Sequence, residues 1–274
     1  MVRFGWFSSG RDQAAIDLFN AVMDRITSGF IRGRLAYVFC DREPGESQAA
    51  DRFLAAVQAR KVPLITHSSK KLRDLIKSGI PELEAFRETF DGQVIQLVRK
   101  FDTEVVIMAG YMLIVSPKLC EAFLCLNLHP AVPGGPAGTW QEVMWQLMDG
   151  GIKEAGAMTH LATPKLDAGP PVTYFRFPLT GPEFEPLWDQ LAAKRQTQAL
   201  AEIRDQEGIA EPLFAKIRQE ELRREFPLIL LTLKNLAAGQ FTLNRAGVQV
   251  EGRARAQGMD LSGEVEEFLQ QKGR

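Results

Sequence analysis

Little in this chain announces a function by itself. It holds three cysteines, Cys40, Cys120 and Cys125, with no C-x-x-C spacing, so reduced and mostly buried thiols are expected. Charge of one sign is also missing. The 33 Lys and Arg against 34 Asp and Glu leave a formal net charge of −1, which removes the electrostatic case for a nucleic-acid or membrane-surface partner. No apolar run reaches membrane-spanning length, and the apolar part of "MVRFGWFSSGRDQ" is too short for a signal peptide, so the cytoplasm is the expected compartment. G-x-G-x-x-G and the Walker lysine are absent, against dinucleotide and nucleoside-triphosphate binding. G-x-S-x-G is absent, against a hydrolase with a nucleophile elbow. No close-spaced ligand pair supports a metal; only the scattered set His129, His160 and Asp167 would be on offer.

What is present is periodicity. With 45% hydrophobic residues the chain suits a soluble protein of one large domain or two small ones. Strand-like segments (2–10, 34–40, 63–67, 103–112, 125–129) alternate with helix-like ones (12–26, 47–60, 82–101, 116–123, 139–150), and 155–163 and 172–179 alternate like strands. The 103–112 run is apolar nearly throughout, as in a strand buried on both faces. Ser116 with Pro117, and Thr139 with Glu142, read as helix starts. This predicts an α/β domain over 1–180 with a mostly parallel sheet flanked by helices. Residues 181–274 change texture: charged amphipathic helices, a hairpin over 241–252 around "NRAG", then a surface helix or frayed tail.

Three short stretches stand out chemically. Strand "CLNLH" carries Asn127 and His129 two residues apart, hence on one face and about 7 Å apart along the strand, at the carboxyl end where open α/β sheets bind ligands. The plain alternative is a histidine satisfied by a backbone carbonyl beside an asparagine that starts a turn. Asp167 in "TPKLDAGPPV" sits between two strands, either as an Asx-turn residue or as a carboxylate brought to the same sheet edge, where it would raise and orient an imidazole. "SSGRDQ" (8–13) is a strand-to-helix turn whose amides can receive phosphate. Cys125 shares the face of Asn127 and His129, but a buried small hydrophobe is the preferred reading over a nucleophile.

Together "MAGYM" (108–112), "SPKL" (116–119), "NLHP" (127–130) and "LDAGPPV" (166–172) resemble, in order and spacing, the folate-dependent formyltransferases, nearest to the branch that uses glycinamide ribonucleotide. The opening "FGWFSSG" and the "FRETFD" helix fit the same pattern. The resemblance implies a Rossmann-like formyltransferase fold, with a helical and hairpin extension after 180. It implies formyl transfer from 10-formyltetrahydrofolate to a primary amine, with glycinamide ribonucleotide as leading acceptor, in purine biosynthesis, without a metal. The implied catalytic set is Asn127, His129 and Asp167. The donor would lie against Gly110, Tyr111, Met112, Leu113, Ile114, Val115, Thr163 and Lys165, and the acceptor near Gly10, Arg11, Asp12, Gln13 and Arg87. Partners would be small molecules, with a homodimer left open.

Departures cluster around the acceptor. Arg11, Asp12 and Gln13 replace the family's small phosphate-binding turn, "PAVPGGPAGTW" replaces its usual loop, and a helix near 184–210 is extra. Three competing readings therefore stand beside the first: a 10-formyltetrahydrofolate hydrolase, a formyltransferase for a different amine, and a non-catalytic folate-binding protein.

Overall fold

The computed structural model describes residues 1–77 and 83–272. Two compact units interleave along the chain. One takes Met1–Leu128, His160–Pro170 and Thr232–Arg255; the other takes His129–Thr159, Pro171–Leu231 and the residues from Ala256 onward.

The first unit is built on five parallel strands, β1 (Val2–Ser8), β2 (Gly33–Cys40), β3 (Leu64–Thr66), β4 (Val105–Met108) and β5 (Cys125–His129), in the order β5-β4-β1-β2-β3. Helices α1 (Gln13–Thr27), α2 (Gln48–Ala59), α3 (Ser69–Lys77), α4 (Leu83–Val98) and α5 (Pro117–Ala122) connect them. Successive β1 residues serve opposite faces. Trp6 meets Phe19 of α1 at 6.2 Å, and Phe19 meets Phe53 of α2 at 5.9 Å. Phe7 meets Phe39 at 4.9 Å, and that cluster takes in Phe86, Phe90, Val94 and Val98 of α4. Each such fully buried side chain contributes roughly 1.5–3 kcal/mol of apolar burial, which fixes a helix on either side of the sheet. Ile16, Phe19 and Val22 are buried as the sequence spacing predicts, and Ile26 is half-buried.

Three expectations need correction. The strand predicted over 103–112 stops at Met108, because Gly110 turns with φ +65° and its carbonyl leaves the sheet to accept from Ser9 N–H at 3.1 Å. Ser116 stands at the cap position of α5, yet its side chain makes no cap bond; its N–H donates to the Asp91 carboxylate instead. Helix α3 is an additional element, and position 82, where the long helix is expected to begin, lies outside the described residues.

In the second unit, α6 (Trp140–Asp149) begins with the predicted capping box: Thr139 Oγ1 accepts from Glu142 N–H, and Glu142 Oε2 accepts from Thr139 N–H at 2.7 Å. Strands β6 (Glu154–Leu161) and β7 (Pro171–Pro178) are neighbours. Thr159 faces Thr173 at 2.7 Å and Leu179 N–H donates to Lys153 O, an antiparallel register. The helical stretch expected over 183–208 is two helices, α7 (Glu185–Lys194) and α8 (Leu200–Glu207), followed by the 26-residue α9 (Pro212–Ala237).

The predicted hairpin is β8 (Thr242–Asn244) with β9 (Gly247–Val250), extended by β10 (Arg253–Arg255). Its tip aims Arg245 at the end of α5, where the guanidinium donates to Cys120 O at 2.6 Å and to Glu121 O. A cation on the last carbonyls of a helix is favoured by the helix dipole, so this contact holds the hairpin against α5 within the first unit. A short β11 (Met259–Asp260) runs parallel to β7, and α10 (Ser262–Lys272) is the expected last helix.

Candidate active site

Strand β1 has β2 on one side and β4 on the other, so chain order reverses between β1 and β4. The crevice outside the carboxyl ends of strands at such a reversal is where open α/β sheets bind ligands. A cleft of about 210 Å³ lies there. Met108, Tyr111, Met112, Leu113, Ile114 and Val115 line it after β4, Asn127 from β5, His160 from β6, and Ala162, Thr163, Leu166 and Asp167 from the β6–β7 loop.

Met108, the last residue of β4, pairs with Asn127, two residues before the end of β5, and both line the cleft. His160, only 2% exposed, organises the polar corner. Its Nδ1–H donates to Leu161 O at 3.1 Å, because a carbonyl can only accept. Nε2 then carries the lone pair that receives Asn127 Nδ2–H at 3.3 Å, and Asp167 Oδ1 is 3.8 Å from the same nitrogen. The arrangement fixes which way the Asn127 amide points. His160 is the functional residue that sequence reasoning placed only in a scattered metal set. The end-of-strand argument that selected Asn127 and His129 does not reach "THLAT", because β6 runs antiparallel to β5, with Ala162 N–H donating to Cys125 O at 2.7 Å, so no local signal would have found it.

Asp167 reaches this corner through an unusual backbone. Its φ is +52°, a left-handed conformation that aspartate tolerates better than most residues. Two residues on, a Cβ on buried Gly169 would overlap the Leu161 carbonyl oxygen, so "LDAGP" needs a glycine there. His129 is 3% exposed at the end of β5, and its Nε2–H donates to Pro136 O at 2.9 Å.

The structure sorts the expected donor contacts. Tyr111–Val115 and Thr163 line the cleft, whereas Gly110 and Lys165 do not. Lys165 is exposed and its carbonyl accepts from Thr163 Oγ1 at 2.8 Å, which shapes the loop. The rim is apolar and open: Met112 is 52%, Ile114 41% and Leu166 58% exposed. Arg87 lines a second cavity of about 160 Å³ that shares Met112, Leu113 and Ile114 with the first. Arg73 lies there too, its guanidinium 5.1 Å above the Phe86 ring. Asp91, on its wall, is buried, and desolvation raises its pKa despite the bonds from Ser116.

The β1–α1 turn is fastened to the same rim, since Met112 N–H donates to Ser9 Oγ at 3.0 Å. Within it Asp12 is the N-cap of α1, its Oδ1 accepting from Ala15 N–H at 3.1 Å. Arg11 and Gln13 are exposed, and Gln13 Nε2–H donates to Asp17 at 2.9 Å. Cys125 is fully buried in the core, and burial first, then the neighbouring Cys120 and Asp91, pushes its thiol far above the usual range. A thiol held neutral is a poor nucleophile. Among the described residues no group of three His, Cys, Asp or Glu is placed to hold a metal ion, and no helix is long and apolar enough to cross a membrane.

Comparisons with known proteins agree with this fold. Phosphoribosylglycinamide formyltransferase of Escherichia coli (strain K12) is 28% identical over 180 residues, covering 65% of this chain and 74% of its own. The solved phosphoribosylglycinamide formyltransferase of Coxiella burnetii has the same fold, with TM-score 0.64 at 17% identity, covering 94% of this chain and 98% of its own. A formyltetrahydrofolate deformylase from Burkholderia mallei shares it at TM-score 0.53 and 16% identity, over 91% and 69% of the two chains. The model of the formyl transferase family matches residues 14–184, more than half of the 274 residues, and the chain belongs to that family.

Proposed function

We propose that the protein transfers a formyl group from 10-formyltetrahydrofolate to a primary amine. The carrying observation is the meeting of Asn127, His160 and Asp167 in one cleft whose rim is exposed and apolar, within a chain of this family. A flat pterin suits that rim: Met112, Ile114 and Leu166 offer its faces apolar contact, and main-chain groups of 111–115 and 162–167 offer its edge donors and acceptors. Arg87 in the adjoining cavity suits the carboxylates of the donor's tail.

The bound donor supplies an activated formyl carbon. The amine nitrogen bonds to that carbon, the bond to N10 breaks, and one amine proton ends on N10, which leaves a formamide and tetrahydrofolate. Asn127 donates its amide hydrogen to the oxygen on which negative charge builds; such donors are worth about 3–4 kcal/mol each. We take His129 as the second donor and Asp167 as the group that relays the proton through water. His160 holds the Asn127 amide in its donating orientation.

Glycinamide ribonucleotide, the acceptor in the relatives' printed names, is the first to assay. The test is incubation with 10-formyltetrahydrofolate with and without amine, following tetrahydrofolate and formate. Amine-dependent tetrahydrofolate release is expected. Formate release without amine would replace the proposal by hydrolysis, and binding without turnover by a non-catalytic role.

A further inference from the structure

From Ala109 to Ser116, between β4 and α5, the chain belongs to no helix or strand, yet Tyr111–Val115 of this run form a wall of the cleft. Backbone without a ladder of its own keeps one shape only where other groups take up its donors and acceptors. Two side chains do so here. Met112 N–H donates to Ser9 Oγ at 3.0 Å, and Ser116 N–H donates to the Asp91 carboxylate. Leu113 and Ile114 stand between these ties and line both the cleft and the adjoining cavity. Pro117 follows with no N–H, so Ser116 carries the last donor before α5.

Asp91 is an expensive residue to place there. It is 2% exposed, and the other side chains that α4 buries, Phe86, Phe90, Val94 and Val98, are apolar. A carboxyl group taken out of water costs stability unless hydrogen bonds offset it. The offsetting bond goes to Ser116, 25 residues away, and not to a turn of α4 itself. A carboxyl oxygen accepts from an N–H whether the group is ionised or neutral, so the tie does not depend on its protonation. Arg87, four residues earlier and so on the same side of α4, lines the adjoining cavity with Asp91. One helix thus faces that cavity and fastens the wall it shares with the cleft.

We infer that Asp91 is a positioning residue for the formyl donor: through Ser116 it holds the main chain of 112–116 in the shape that receives the pterin, and so sets donor affinity without touching the reacting atoms. The inference rests on the formyl-transfer reading for the identity of the donor. The tie from Asp91 to Ser116 stands on the geometry alone.

The test compares three variants. Asp91→Leu fills similar space but accepts no hydrogen bond, Asp91→Ala serves should the first fold poorly, and Asp91→Asn keeps an acceptor oxygen at the same reach. Tetrahydrofolate affinity is read by fluorescence quenching, formyl transfer by steady-state kinetics, and the order of 112–116 by amide hydrogen exchange. Asp91→Leu should raise Kd for tetrahydrofolate and KM for the donor by about 10-fold, with kcat and the KM for the amine within about 2-fold of the parent. Asp91→Asn should bring both donor constants back to within about 3-fold of the parent, which a mere packing role would not do. Exchange at 112–116 should quicken in Asp91→Leu and not in Asp91→Asn. Parent-like donor constants without the acceptor, a fall in kcat at unchanged KM, or an asparagine variant as impaired as the leucine one would each overturn the inference. Fast exchange at the Ser116 amide in the parent would do so whatever the variants show. If the parent binds no tetrahydrofolate, the function proposed above fails. The exchange comparison then decides the tie by itself: unchanged protection in Asp91→Leu removes it, and quickened exchange restored by asparagine upholds it.

Discussion

Replacing Asn127 tests the cleft most directly, because a buried neighbour dictates the orientation of its amide. The His160 ring, with Nδ1–H committed to Leu161 O, offers a lone pair to Asn127 Nδ2 at 3.3 Å. Asn127→Ala removes a donor and leaves the rest in place. Loss of one such donor costs about 10²–10³ in kcat, or roughly 3–4 kcal/mol. Asn127→Asp does more. A carboxylate about 4 Å from the developing oxyanion repels it by roughly 4 kcal/mol at an effective dielectric near 20. It also becomes a second carboxylate at the His160 nitrogen that Asp167 already approaches to 3.8 Å. The aspartate variant should therefore fall about 10³-fold below the alanine variant at neutral pH, and regain part of that in acid as the new carboxyl is protonated. Single-turnover deformylation of 10-formyltetrahydrofolate, with donor affinity measured separately by fluorescence quenching, separates transition-state loss from binding loss. Equal rates for the two variants, or parent-like turnover for Asn127→Ala, would refute the assignment of Asn127 as the oxyanion donor.

Other consequences follow from specific contacts. Gly169→Ala drives a methyl into the Leu161 carbonyl, a backbone atom that cannot rotate away, so we expect about 2–3 kcal/mol of destabilisation in urea melts together with loss of turnover as Asp167 shifts. Glu220 of α9 is buried, which opposes its ionisation, yet Arg224 at 2.8 Å, Lys216 at 3.1 Å and Arg223 at 2.9 Å lower its pKa to about 2. Because its folded value lies below the ordinary 4.5, this carboxylate contributes stability above pH 4.5 that is lost as pH falls toward 2. Since Arg223 is 55% exposed, screening holds the contribution to about 1–2 kcal/mol, and Glu220→Gln should flatten that acid limb. Cys125, neutral and fully buried, should resist thiol reagents until the protein is denatured, and Cys125→Ala should keep turnover; rapid native labelling with loss of activity would restore the nucleophile reading.

Local pattern carried much of this molecule. The α/β alternation, the capping box at Thr139, the buried face of α1 and the hairpin at Asn244–Gly247 are read within a few residues of chain, and each formed as read. That Asn127 and His129 share a face just before the chain leaves the strand at Pro130 is likewise a local fact. Local pattern also has a limit. The apolar run over 103–112 gives no sign that it leaves the sheet after Met108, because the cause is a hydrogen bond from Ser9, a hundred residues away. "TPKLDAGPPV" shows a turn, but not that Gly169 must admit the Leu161 carbonyl or that Asp167 must take a positive φ. His160 reads as one more residue of an alternating strand until antiparallel pairing of β6 with β5, with Ala162 N–H on Cys125 O, sets Asn127 beside it. The sequence by itself determined the α/β alternation and most of its elements, though not α3 or the end of β4, because those depend on neighbours in the chain. Only the tertiary structure decided that Asn127, His160 and Asp167 share one corner, and that Asp12 turns its carboxylate onto Ala15, because side-chain direction is settled by partners distant in sequence or by the amides left free at a helix end.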